Sequence, residues 1–112
     1  MRSYISLIEE HRAELNMLCE QYRVQRLDLF GSAAKGTFKP ESSDLDFVVS
    51  FDDPGERGYA RRYYYFAESL EHLFQRPVDL LTQDSIQNST LEESVNAARL
   101  NVYEQRSAQT TA

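Results

Sequence analysis

Cysteine is almost missing from this chain: Cys19 is the only one, so no disulfide can form within it, a usage compatible with a reducing compartment. Long apolar runs are missing as well. No stretch approaches the ~20 apolar residues that span a bilayer, and the opening MRSYISLIEEHRAEL meets charge too early for the apolar segment of a signal peptide. Together these absences set the expectation of a soluble cytoplasmic protein with no membrane segment. Basic residues are in short supply: 12 Lys and Arg stand against 18 Asp and Glu, a net charge of −6 and a sequence pI near 4.8. Binding to a phosphate backbone depends on Lys and Arg, so stable nucleic-acid binding is not expected. A single nucleotide, with its phosphates screened by metal ions, and a basic protein partner both remain compatible. His11 and His72 fall on separate helical patterns without ligand-like spacing, which argues against a zinc site or a histidine-based nucleophile. No repeat and no long linker divides the chain.

What is present reads as one folded domain. Its 112 residues, 41% hydrophobic and 12% aromatic, suffice for a core without staples. The domain is expected over residues 1–105, with a polar, disordered tail over 106–112. Residues 3–22 carry Ile5, Ile8, Leu15, Leu18, Cys19 and Tyr22 at helical spacing. Residues 24–30 (VQRLDLF), 45–51 (LDFVVSF) and 78–82 (VDLLT) read as strands. Residues 57–75 form a second helical pattern ended by Arg76-Pro77, residues 89–100 a last helix, and NVYE an extended end. Strands alternating with helices predict an α/β (α+β) fold, a small sheet flanked by helices.

Three motifs carry chemistry. In Asp44-Leu45-Asp46, a strand puts both carboxylates on one face, with Leu45, Phe47 and Val49 turned into a core and Val48 making the aspartates' face apolar just beyond them. Two carboxylates held there repel each other and lose solvation; a divalent cation relieves both burdens. Gly31-Ser32 follows a strand and opens a turn where backbone N–H groups can cradle phosphate, with Lys35 nearby as a point charge. Asp79 interrupts the apolar strand Val78–Leu81, where a carboxylate needs a cation or a proton-transfer task. Each motif alone is commonly something plainer: a solvated strand entrance, a serine helix cap, a salt bridge to Arg76. The compound order is what narrows the field.

That order, LFGSAAKGTFKPESSDLDFVV with VDLL behind it, resembles the minimal nucleotidyltransferases of the DNA polymerase beta superfamily across residues 24–104. The resemblance implies a small mixed sheet of polymerase-beta type. It implies two Mg²⁺ ions held by Asp44, Asp46 and Asp79, with Asp79 also helping to deprotonate the acceptor hydroxyl. Gly31 and Ser32, with Lys35, would take the β- and γ-phosphates of the nucleotide donor, ATP. Short members of this kind are similar to the antitoxins that transfer AMP onto a tyrosine of a partner ribonuclease toxin of the HEPN class. A partner-bound oligomer is therefore expected. Two departures stand out: eleven residues separate Ser32 from Asp44, one more than the family's usual spacing, and Lys35 replaces the usual arginine. They keep open a non-catalytic antitoxin that acts by contact. A small-molecule nucleotidyltransferase, such as one modifying an antibiotic, is the third reading.

Elsewhere, Tyr63-Tyr64-Tyr65-Phe66 cannot all face one core at 100° per residue, so one or two rings should be exposed. Arg61 and Arg62 read as solvated helix charges, and Cys19 as a core residue.

Overall fold

The computed structural model describes residues 4–30, 44–53, 55, 57–87, 90–97 and 99–105. Among them lie α1 (Tyr4–Glu10), α2 (Arg12–Gln21), β1 (Val24–Phe30), β2 (Leu45–Phe51), α3 (Tyr59–Phe74), β3 (Val78–Thr82), α4 (Gln83–Ile86), α5 (Thr90–Ala97) and β4 (Leu100–Glu104). The first three strands coincide with the runs rich in β-branched and aromatic residues. The expected helix over residues 3–22 is instead two helices. They part at His11, whose backbone sits at φ −115°, ψ 18° while its Nδ1 lies 3.0 Å from the Leu7 carbonyl. That ring takes over an acceptor the helical ladder would otherwise use. The last helix ends earlier than expected, because Leu100 already pairs with Leu29 of β1. The expected tail, 106–112, lies outside the described residues.

The sheet runs in the order β3-β2-β1-β4. β1 is antiparallel to both β2 and β4, and β2 is parallel to β3. A parallel pair needs a crossover, and α3 supplies it. Its stripe of Phe66, Leu70 and Phe74 is buried against Leu45, Phe47, Val49 and Phe51, joined by Leu15 and Cys19 of α2. Phe47 has no exposed surface; truncating such a ring typically costs about 3–5 kcal/mol. The helix stops at Gln75, which takes a left-handed conformation at φ 56° two residues ahead of Pro77. The opposite face of the sheet carries a smaller core, Val48, Ile86 and Val95 with Phe30 and Leu81 packed against it. Thus α4 and α5 cover only part of that face and leave the starts of β2 and β3 outside.

Candidate active site

Alternation along β2 and β3 decides which side chains meet. Leu45, Phe47 and Val49 enter the main core, so Asp46 and Val48 take the other face. The register pairs Asp46 with Asp79, and Val48 with Leu81. Directly opposed residues on adjacent strands share a face, and their backbones are roughly 4.8 Å apart. Asp46 and Asp79 therefore stand side by side, with Asp44 exposed at the entrance to β2. The consequence is electrostatic. Burial, then the charge of Asp79, then a hydrogen bond with it, then the charge of Asp44, push the Asp46 carboxyl up to about 6. Sequence alternation predicted this face, including the apolar Val48 beyond the acids. Gly31, Ser32 and Lys35 lie outside the described residues.

Backbone contacts fix the acidic end of the sheet from behind. The Leu45 N–H, between Asp44 and Asp46, donates to the Pro77 carbonyl at 3.2 Å. The Val78 N–H, beside Asp79, donates to Glu71 Oε2 of α3 at 3.1 Å. The Tyr63 hydroxyl donates to the Leu80 carbonyl. Both strand starts thus hang from the α3–β3 junction. Among the described residues no group of three or more His, Cys, Asp or Glu is drawn together closely enough to hold a metal ion. A proton on Asp46 and a bound cation are alternative ways to relieve the repulsion among these acids.

A further carboxylate on this face, beyond Asp46 and Asp79, escaped sequence reasoning. Asp28 of β1 is fully buried, opposite Val48. It accepts from Arg26 Nε at 3.1 and 3.0 Å, from Asn101 Nδ2 at 2.9 Å and from Arg99 Nε. Arg99 continues to Asn96 Oδ1 at 2.8 Å and to Gln83 Oε1. This network ties β1 to β4, to the start of α4 and to α5. Its signal was in the sequence: Asp28 interrupts Leu27-Asp28-Leu29 as Asp79 interrupts Val78-Asp79-Leu80. Arg62 corrects another expectation. It is not a solvated helix charge but 8% exposed. Its guanidinium donates to the carbonyls of Asp53 at 2.8 Å and Tyr22 at 3.3 Å and lies over the rings of Phe51 and Tyr59. It anchors the turn after β2 and is engaged away from the acids.

Comparison with known proteins adds three kinds of likeness. Residues 12–101 match the model of the nucleotidyltransferase domain family. Two candidate protein adenylyltransferases of Methanocaldococcus jannaschii are similar over most of their lengths. One is 33% identical over 95 residues, covering 85% of this chain and 93% of the relative. The other is 32% identical over 80 residues, covering 71% and 85%. Among solved structures, a candidate minimal nucleotidyltransferase superposes with a TM-score of 0.64 at 27% identity, covering 83% of this chain and 93% of that one. A chain of a toxin–antitoxin complex with AMP-PNP gives a TM-score of 0.63 at 20% identity, over 88% and 77%. A chain from the complex of a tri-AMPylated Shewanella oneidensis HEPN toxin with its MNT antitoxin gives 0.61 at 17%, over 92% and 77%. These last two show a shared fold.

Proposed function

Since the chain belongs to the nucleotidyltransferase domain family, we propose that it transfers AMP from ATP to a tyrosine hydroxyl of a partner HEPN ribonuclease toxin, and so serves as the antitoxin of the pair. The enzyme class follows from family membership. The acceptor is supported by the adenylyltransferase names of its relatives and by the fold shared with a chain of an AMPylated toxin–antitoxin complex.

One observation carries the catalytic part: Asp46 and Asp79 paired across a parallel strand pair, with Asp46 pushed up to about 6 by burial and by its acidic neighbours. Asp44, Asp46 and Asp79 fit Mg²⁺ by donor chemistry: they are hard carboxylate oxygens at one end of the sheet, Asp44 and Asp79 open to solvent and Asp46 half-buried, and such a cation takes one or two carboxylates together with substrate phosphates and water. When bound, Mg²⁺ supplies neutralisation of the charge on the triphosphate. The chain's residues do the rest. Gly31 and Ser32 hold the β- and γ-phosphates, with Lys35 adding positive charge. The tyrosine oxygen attacks the α-phosphorus, Asp79 accepts its proton, a phosphodiester forms and pyrophosphate leaves. Catalysis here is positioning and charge stabilisation on a rigid sheet edge.

The test is transfer of label from α-labelled ATP to the purified partner. The wild type should label the toxin on tyrosine and release pyrophosphate in equal amount. Asp79→Asn should lower the rate by about 10²-fold or more while the complex still assembles. An Asp44→Asn/Asp46→Asn double variant that still protects cells from the toxin would refute catalysis as the mechanism of protection.

A further inference from the structure

We infer that the groove between α2 and α3 is a docking site for a basic amphipathic helix of the protein acceptor, which it holds against the acidic end of the sheet. The inference rests on the protein-acceptor reading above and adds to it a surface and a partner chemistry. The groove encloses about 910 Å³. Met17, Leu18 and Leu73 give it apolar walls, and Glu14, Glu68 and Glu71 stand among them as carboxylates. Met17 is 68% exposed, a large flexible apolar side chain of the kind that adapts to a partner's stripe. One turn back toward the start of α3 lie Tyr64 and Tyr65, 55% and 46% exposed and packed edge to face at 5.3 Å. Such aromatics are enriched at protein interfaces.

Charge selects the occupant. Three carboxylates face the groove against His72 and Arg76, on a chain of net charge −6. An apolar stripe flanked by Lys or Arg is favoured there, and an acidic one repelled. Connectivity supplies the reason for docking at this place. Gln75 and Arg76 close one end of the groove and lead into Pro77, whose carbonyl accepts from the Leu45 N–H between Asp44 and Asp46. Glu71, in the groove wall, holds the Val78 N–H beside Asp79. A helix seated between α2 and α3 therefore ends at the same edge of the sheet as the paired acids, on the far side of the strands. An acceptor residue following that helix reaches the acids by passing round the end of β2 and β3.

The experiment titrates the chain into two labelled helical peptides at physiological salt, one alternating a leucine stripe with lysine and one with glutamate in its place. The lysine peptide should bind and the glutamate peptide should not. Met17→Asp and the Glu14→Gln/Glu68→Gln double variant should each weaken binding about tenfold, and a Glu93→Gln/Glu104→Gln control should leave it unchanged. Equal loss in the control, or no binding of the lysine peptide, would overturn the proposal. Pyrophosphate release from ATP in the presence of the toxin reports separately on the enzymatic reading. Groove variants should raise the KM for the acceptor at unchanged kcat. A chain that binds the peptide through the groove yet transfers no AMP sinks that reading and leaves the docking surface standing.

Discussion

Replacing Asp46 by asparagine should stabilise the metal-free protein at alkaline pH while abolishing transfer. The carboxyl moves from its ordinary 3.8 to about 6 on folding, with burial as the first cause. A group whose pKa is raised by folding contributes stability that is complete below its unfolded value and is lost as pH rises through the folded one. The metal-free wild type should therefore weaken between about pH 4 and pH 7 on account of this group. The rise corresponds to about 3 kcal/mol without screening. Asp46 is only partly enclosed, and solvent reduces the effect, so about 1–2 kcal/mol is the working figure. For a domain of this size that is roughly 5–10 °C in Tm. The assay is thermal unfolding with a chelator present, wild type against Asp46→Asn, at pH 4.5 and pH 8. At pH 4.5 the gap should be small, because the folded wild type keeps the Asp46 proton and only the unfolded chain has lost most of it. At pH 8 the variant should unfold higher. Added Mg²⁺ should then stabilise the wild type more than the variant, because only the wild type gains a cation for its stranded charge. A variant no more stable than wild type at pH 8, relative to pH 4.5, would refute the electrostatic account of the site.

Three further outcomes follow from the same geometry. Asp28→Ala leaves the Arg26 and Arg99 guanidiniums beside a buried gap and should cost about 3–5 kcal/mol in urea unfolding; a loss below about 1 kcal/mol would contradict it. Gly58 starts α3 at φ 94° with nothing within 4 Å of a would-be Cβ, so Gly58→Ala should cost roughly 1 kcal/mol through backbone strain alone, and an unchanged Tm would dispose of that claim. Tyr63→Phe removes the hydroxyl bond to Leu80 next to Asp79 and should cost about 1 kcal/mol, read from the same unfolding curves.

Strands were the legible part of this fold because their composition and alternation are local properties. VQRLDLF, LDFVVSF and VDLLT became β1, β2 and β3 without displacement, and alternation alone put Asp46 and Val48 on one face. Which strand lies beside which is a long-range fact, and the pairing of Asp46 with Asp79 required the parallel register of β2 and β3. The break at His11 escaped periodicity because both halves keep one apolar stripe, with Ile8, Leu15 and Cys19 all buried. Arg62 escaped because its burial depends on two carbonyls and two rings brought in from α2's end and the turn after β2. Tyr64 and Tyr65 came out exposed and Phe66 buried, as helical geometry required, since 100° steps cannot be evaded.

The same sheet face treats a carboxylate that loses solvent in two ways, and the contrast supports the proposed site. Asp28 is more deeply buried than Asp46, yet it is met by two guanidiniums and an amide supplied by β1, β4 and their neighbours. Nothing is left for an outside ligand to improve. Asp46, two residues from Asp28's partner Val48, has acids on both sides, and every influence resolved on it among the described residues raises its proton affinity. A structural carboxylate would have been compensated as Asp28 is, because an uncompensated charge lowers stability at every pH where it persists. Folding instead holds Asp46 and Asp79 together with three backbone and side-chain anchors at Leu45, Val78 and Leu80. Energy spent on holding like charges together is recovered only when something positive arrives. The uncompensated pair is thus where the proposed site lies, and Asp28 belongs to the network that ties β1 to β4.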